Sequence, residues 1–145
     1  MFLFIGLISL SCLAQEKFEI KKATSTLERF YTEYSREFTN IPSRQDVRDS
    51  LITVFCSSRL VNEIYQRREK GMDYDLFLQG QDWDMKWTET ILIKQEQERK
   101  DIFVVSFYVW CANLQKCWLH IHLRVILVKG RYLIDDVIEA PPNEK

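Results

Sequence analysis

Histidine, proline and glycine are scarce in this chain, at two, three and four residues out of 145. So few turn-formers exclude a flexible linker or a collagen-like repeat and favour long regular elements. A dominant charge is missing as well. Twenty basic residues stand against 21 acidic ones, for a formal net charge of −1. Such a chain has no global field for gripping a phosphate backbone, so nucleic acid is not an expected partner. The same balance argues against electrostatic attachment to an anionic membrane. No Gly-rich phosphate loop, HExxH pair or serine-nucleophile motif occurs. With both histidines in one short stretch, His120-Ile121-His122, zinc would need carboxylates to complete its shell. No metal and no cofactor are expected.

What is present is a core. Hydrophobic residues reach 46% and aromatics 13%, the range of a folded domain. Met1 to Ala14 reads MFLFIGLISLSCLA and carries no charge. The run is shorter than the ~20 residues needed to span a bilayer and has the length of a signal-peptide core. Small residues at Cys12 and Ala14 suit cleavage after Ala14, which leaves 15–145 as a single domain in the periplasm or the medium. Lipid attachment at Cys12 is the alternative export route.

Three cysteines follow the leader. Cys111 and Cys117 bracket a five-residue loop between two strand-like runs, where facing residues come close enough for a disulfide. An oxidising compartment would preserve it. Cys56 is expected to act as a small buried hydrophobe.

Helix periodicity comes first along the mature chain. Ile20, Ala23, Leu27, Phe30, Tyr31, Tyr34 and Phe38 share one face of a helix over about 18–39. Ser43 reads as the N-cap of a second helix whose stripe is Val47, Leu51, Val54 and Phe55. Ser57 or Ser58 caps a third, with Leu60, Val61, Ile64 and Tyr65 inward and Gly71 as its C′ residue. Residues 72–85 read as a structured loop, with room for one helical turn. Four strands then follow, at 87–97, 102–111, 116–129 and 131–140, with Lys129-Gly130 as a tight turn. Leu119, Ile121, Leu123, Val125 and Leu127 alternate strictly and mark the core face. The expectation is an α+β fold: three N-terminal helices packed on a curved antiparallel sheet of about four strands.

Phe30-Tyr31-x-x-Tyr34, Cys56-x-x-Arg59-Leu60, Asp73-Tyr74-Asp75 with Gln81-Asp82, and Tyr132-Leu133-Ile134-Asp135-Asp136-Val137 run in that order through the domain. In this the chain resembles the exported bacterial proteins of domain-of-unknown-function family 3828, within the nuclear transport factor 2-like superfamily. The resemblance implies a cone-like sheet with a pocket, and no agreed activity.

Candidate sites follow from side-chain chemistry. Asp135 and Asp136 should point to opposite sheet faces, and an inward carboxylate is a weak candidate for a general base. The competing reading is an ion pair with Arg59 that ties a helix to the last strand. Tyr31, Tyr34 and Tyr74, with Arg59 and Asp136, are the expected ligand-binding residues, since tyrosines offer an apolar body and a hydroxyl. Tyr108, Trp110 and Trp118 share the outer face and mark an interface. Asp73, Asp75 and Asp82 begin like a calcium loop, but Leu78 stands where glycine is needed, so turn-capping is the better reading. The expected function is an exported non-catalytic binding or protein-interaction module, such as an immunity protein. Its partner would be an unknown protein or small ligand in the cell envelope. The alternatives are a small hydrolase or isomerase using Asp135 or Asp136, and an envelope structural or assembly factor, for which a homodimer is one form.

Overall fold

The apolar stripe of the first helix meets both of its neighbours at one ring, Phe30. In the computed structural model, which describes the backbone of residues 3–139 and the side chains of residues 19–139, α1 runs over Leu3–Thr39. The expected Cys12 anchor and the cleavage after Ala14 lie outside the described side chains. Ala23, Leu27, Phe30, Tyr31 and Tyr34 are buried along one face of α1, as the periodicity predicts. Phe30 stands 5.5 Å from Phe55 of α2 (Gln45–Phe55) and 4.9 Å from Phe77 of the following loop. Edge-on and tilted aromatic pairs of this kind contribute about 1 kcal/mol each beyond area burial.

Helix α2 is turned from its expected face. Its buried residues are Arg48, Ile52 and Phe55, while Val54 is exposed and Val47 and Leu51 are half-buried. Those three are spaced four and three apart, a proper helical stripe, but its first member is charged. A reading that counts only apolar residues therefore centres the stripe one residue off: Phe55 is buried as predicted and Leu51 packs at the core's edge, but Val54 faces out. The cap differs too. Arg44, not Ser43, is the N-cap and makes no side-chain cap bond. The Ser43 hydroxyl instead accepts from Arg48 Nη1 at 2.5 Å. Helix α3 (Ser58–Glu69) has the expected ends: the Ser57 hydroxyl accepts from Leu60 N, and Gly71 turns the chain at φ 93°. Leu60 and Ile64 point inward as predicted, but Tyr65 does not: it is exposed, with the Arg68 guanidinium 5.7 Å from its ring.

A single-turn helix, α4 (Met85–Thr88), stands at the end of the loop, later than the turn that 72–85 allows. Asp84 caps it, and it takes Trp87 and Thr88 out of the predicted first strand. Strand β1 is therefore only Leu92–Gln95. Strands β2 (Ile102–Trp110), β3 (Lys116–Val128) and β4 (Arg131–Ile138) lie close to their expected bounds. The sheet is antiparallel in the order β1-β2-β3-β4, an open meander. Lys129 and Gly130 are both left-handed, at φ 49° and 76°, as a two-residue hairpin turn requires.

The helices cover one sheet face. Val105, Phe107, Ile121, Leu123, Ile134 and Val137 are buried against them. Leu127 is exposed at the far end, so the strict alternation of β3 outruns the helical cover. In β4 the register slips. Arg124 pairs with Asp136 and Val125 with Ile134, which leaves Asp135 without a cross-strand partner. This β-bulge cancels the expected alternation of the two aspartates.

Candidate functional site

Three places collect the candidate side chains, and they differ in how fully their polar groups are used. The first is the seam between α3 and β4. Its backbone is stitched by Ser57 N donating to Ile134 O at 2.9 Å. Because of the bulge, both aspartates reach one guanidinium. Arg59 Nε lies 3.4 Å from Asp135 Oδ1, and Arg59 Nη2 lies 3.9 Å from Asp136 Oδ1. Arg59 also donates to the backbone carbonyl of Asp135. The Ser57 hydroxyl donates to Asp135 at 2.6 Å. Asp136 meets Arg124 at 3.7 Å, and Arg124 meets Asp101 at 3.3 Å. Every charged group here has a partner.

The second place is the far end of the outer sheet face, the side of β2 and β3 turned away from the helices. Tyr108 and Trp118 pair across β2 and β3, with ring centroids 5.2 Å apart. Trp110 pairs with Lys116, whose Nζ stands 5.5 Å from the Trp110 ring and 5.8 Å from the Tyr108 ring. Tyr108, Trp110 and Trp118 are 38%, 54% and 45% exposed. Cys111 and Cys117 are bonded to each other and close the loop that ends this hairpin. A small cleft of ≈ 150 Å³ runs from Trp110 and Lys116 to Trp87 and Lys86 of α4. Between the two ends, His120 bonds Ser106 at 2.7 Å and His122 bonds Glu96 at 3.2 Å. Among the described residues no three His, Cys, Asp or Glu side chains converge as metal ligands.

The third place is a groove of ≈ 530 Å³ between α1, α2, α3 and the loop 72–81. Tyr34 and Tyr74 line it; Tyr31, Arg59 and Asp136 do not. Tyr31 is fully buried in the core, 5.3 Å from both Phe30 and Phe107, and its hydroxyl has no partner. The Tyr74 hydroxyl donates to Glu139 at 2.6 Å, and that bond raises the phenol pKa. Asp75 sits under the loop. It accepts from Tyr34 at 2.6 Å and from the N–H groups of Phe77 and Leu78 at 3.0 Å each. Burial pushes its carboxyl above the usual range; the Tyr34, Leu78 and Phe77 hydrogen bonds pull it part of the way back. Its oxygens go to turn-capping, as the sequence suggested.

Arg48 is the residue that sequence reasoning passed over. Only 8% exposed, it lines the groove between Phe38 and Gln45. Its guanidinium stacks on Phe38 at 4.9 Å and bonds the neutral oxygens of Ser43 and Gln45. Among the described residues it has no carboxylate within ion-pair distance. The available signal was its spacing from Ile52 and Phe55.

No family model matches this chain, and no curated protein does. The resemblance to family 3828 and to the wider superfamily thus rests on its short motifs. Two solved structures share the fold. A protein of unknown function from Bacteroides thetaiotaomicron is 22% identical, with a TM-score of 0.74 over 90% of this chain and 99% of that one. A chain of the type VI effector–immunity complex Tae3–Tai3 from Ralstonia pickettii is 18% identical, with a TM-score of 0.57 over 83% of this chain and 97% of that one.

Proposed function

We propose that this protein is an exported, non-catalytic interaction module that meets a protein partner with the aromatic end of its outer sheet face. One observation carries the reading: Tyr108, Trp110 and Trp118 are exposed together on a hairpin closed by a disulfide. Tryptophan and tyrosine dominate binding hot spots because they bury large areas at a low entropic cost. Cross-strand pairing and the disulfide hold these rings in place before any partner arrives, which lowers the ordering cost of association. The disulfide suits an oxidising compartment, and no described helix is long and apolar enough to cross a membrane. A chain of the same fold is part of an effector–immunity complex, which supports a role in pairing with another protein.

The competing enzyme needs an aspartate facing open volume. Asp135 and Asp136 are instead committed to Ser57, Arg59 and Arg124, and neither lines the groove or the cleft. Carboxylates committed to ion pairs and a hydroxyl in this way favour the interaction reading over a general base.

The test is capture from envelope extract by the tagged protein, with Trp110→Ser/Trp118→Ser and Asp136→Ala as parallel baits. The aromatic double variant should lose its partner while Asp136→Ala keeps it. Capture that survives the double variant would refute the docking surface. A dimer in light scattering, abolished by the same double variant, would assign the face to a second copy and favour the assembly-factor reading.

A further inference from the structure

The groove on the helical side holds a guanidinium that, among the described residues, touches no carboxylate; Asp75 of the same lining acts on it only through space. A guanidinium taken out of water is costly unless an anion faces it. Arg48 is more than nine-tenths buried, yet its side-chain acceptors are a hydroxyl and an amide oxygen, and its Nε is buried with no acceptor at all. The nearby acids are spoken for. Asp75 spends both oxygens on Tyr34 and two backbone N–H groups. Asp49 holds Arg68 at 2.7 Å and the Gln45 amide at 2.8 Å. Asp73 stands at the exposed rim. The Ser43 and Gln45 brackets and the Phe38 ring fix the plane of the guanidinium without neutralising it.

A second feature points the same way. Helix α2 begins with Gln45, which lines the groove, and its N-cap makes no side-chain bond to the free N–H groups of the first turn. That end of a helix carries partial positive charge and uncommitted donors, and the one acid in its first turn, Asp46, is exposed and outside the groove lining. The remaining lining includes Ile52, Ile64, Leu76 and Phe77, an apolar floor. The volume of ≈ 530 Å³ is that of a small-ligand site.

We propose that this groove binds a carboxylate carried on a compact apolar body, with Arg48 as the anchor and the α2 amino end beside it. The carboxylate could belong to a free organic acid or to the C-terminus of a peptide; the chemistry is shared. The proposal is independent of the sheet-face partner, since the two surfaces have no lining residue in common.

Calorimetric titration of the folded protein with hexanoate and with acetyl-Gly-Phe bearing a free carboxylate, each against its primary amide, tests it. At least one acid should bind about tenfold tighter than its amide. Arg48→Gln should abolish the preference, Arg48→Lys should keep part of it, and Arg59→Gln should leave it unchanged. Preference for hexanoate identifies a small acid; preference for the peptide identifies a chain terminus. Acid and amide binding alike, none of the four probes binding, or a preference surviving in Arg48→Gln would each overturn the proposal. Should Arg48→Gln fail to fold by circular dichroism, Asp75→Asn decides. It removes a like charge from the groove and should tighten acid binding but not amide binding; unchanged acid affinity overturns the proposal.

Discussion

The α3–β4 seam and the helical groove each centre on an arginine, and the two are wired in opposite ways. Arg59 is half in water, at 52% side-chain exposure, and faces Glu63, Asp135 and Asp136. Arg48 is buried and, among the described residues, has no carboxylate at ion-pair distance; Asp75 acts on it only across the groove. Where solvent already screens the charge, the fold supplies partners in excess; where desolvation is most costly, it supplies only neutral oxygens. Partners on an exposed arginine add little stability and fix geometry. A buried, unanswered charge lowers stability and persists where something else meets it. The first pattern belongs to scaffold and the second to a site.

The largest expected effect lies in the groove. Asp75→Ala orphans the N–H groups of Phe77 and Leu78 and the Tyr34 hydroxyl at once. It should cost about 3 kcal/mol in urea unfolding, since each stranded buried group costs ~1–3 kcal/mol. Asp75→Asn keeps an acceptor for both N–H groups and can donate to Tyr34, so it should cost far less. The pair also has a pH signature. Folded Asp75 holds its proton to higher pH than the unfolded chain, whose value is near 3.8. Its contribution to stability is therefore greatest below that value and is lost as pH rises through the raised folded value. Asp75→Asn, which does not ionise, should gain on the natural protein as pH rises from about 4 to about 7. A constant difference across that range would show that Asp75 carries no burial cost.

Next comes the seam. Asp135→Ala removes the acceptor of Ser57 and one partner of Arg59, and should cost about 2 kcal/mol, read from the same unfolding curves. The change should leave the groove's ligand preference untouched, because no groove-lining residue contacts Asp135. A smaller effect of opposite sign is expected in the core. Tyr31→Phe deletes a buried hydroxyl that has no partner, and should stabilise by about 1 kcal/mol. A loss of stability instead would mean that the hydroxyl is bonded to a buried water.

Much of this architecture is legible in the sequence because apolar periodicity reports burial directly. The α1 stripe and the β3 alternation follow from it; the Lys129-Gly130 turn and the cysteine-closed hairpin follow from turn chemistry and cysteine spacing. Two features escape for physical reasons. The bulge at Asp135 hides because a period-two reading assumes an unbroken ladder; the clue is that Ile134 and Val137, both buried, are three apart. Arg48 hides because its hydropathy says solvent while its position says core. Tyr34 and Tyr74 mark the groove from the sequence, but its cation emerges only by asking which charged residue completes the Ile52–Phe55 stripe. Functional sites are where such conflicts between local preference and global packing collect.

The smallest effects distinguish the two arginines most sharply, because they should differ in sign. Arg59→Met removes half-exposed ion pairs and should lower stability by less than about 1 kcal/mol, an effect that shrinks further in high salt. Arg48→Met replaces a buried, unpaired guanidinium with an apolar chain of similar reach. Ser43 and Gln45 are exposed and can turn to water, so no acceptor is stranded. The ligand-free variant should match or exceed the natural protein in stability, as replacements of buried charges by apolar groups often do. It should also gain nothing from added carboxylate, whereas the natural protein should be stabilised as ligand accumulates. If Arg48→Met is instead the more damaging of the two, Arg48 is a structural brace like Arg59, and the contrast between seam and groove disappears.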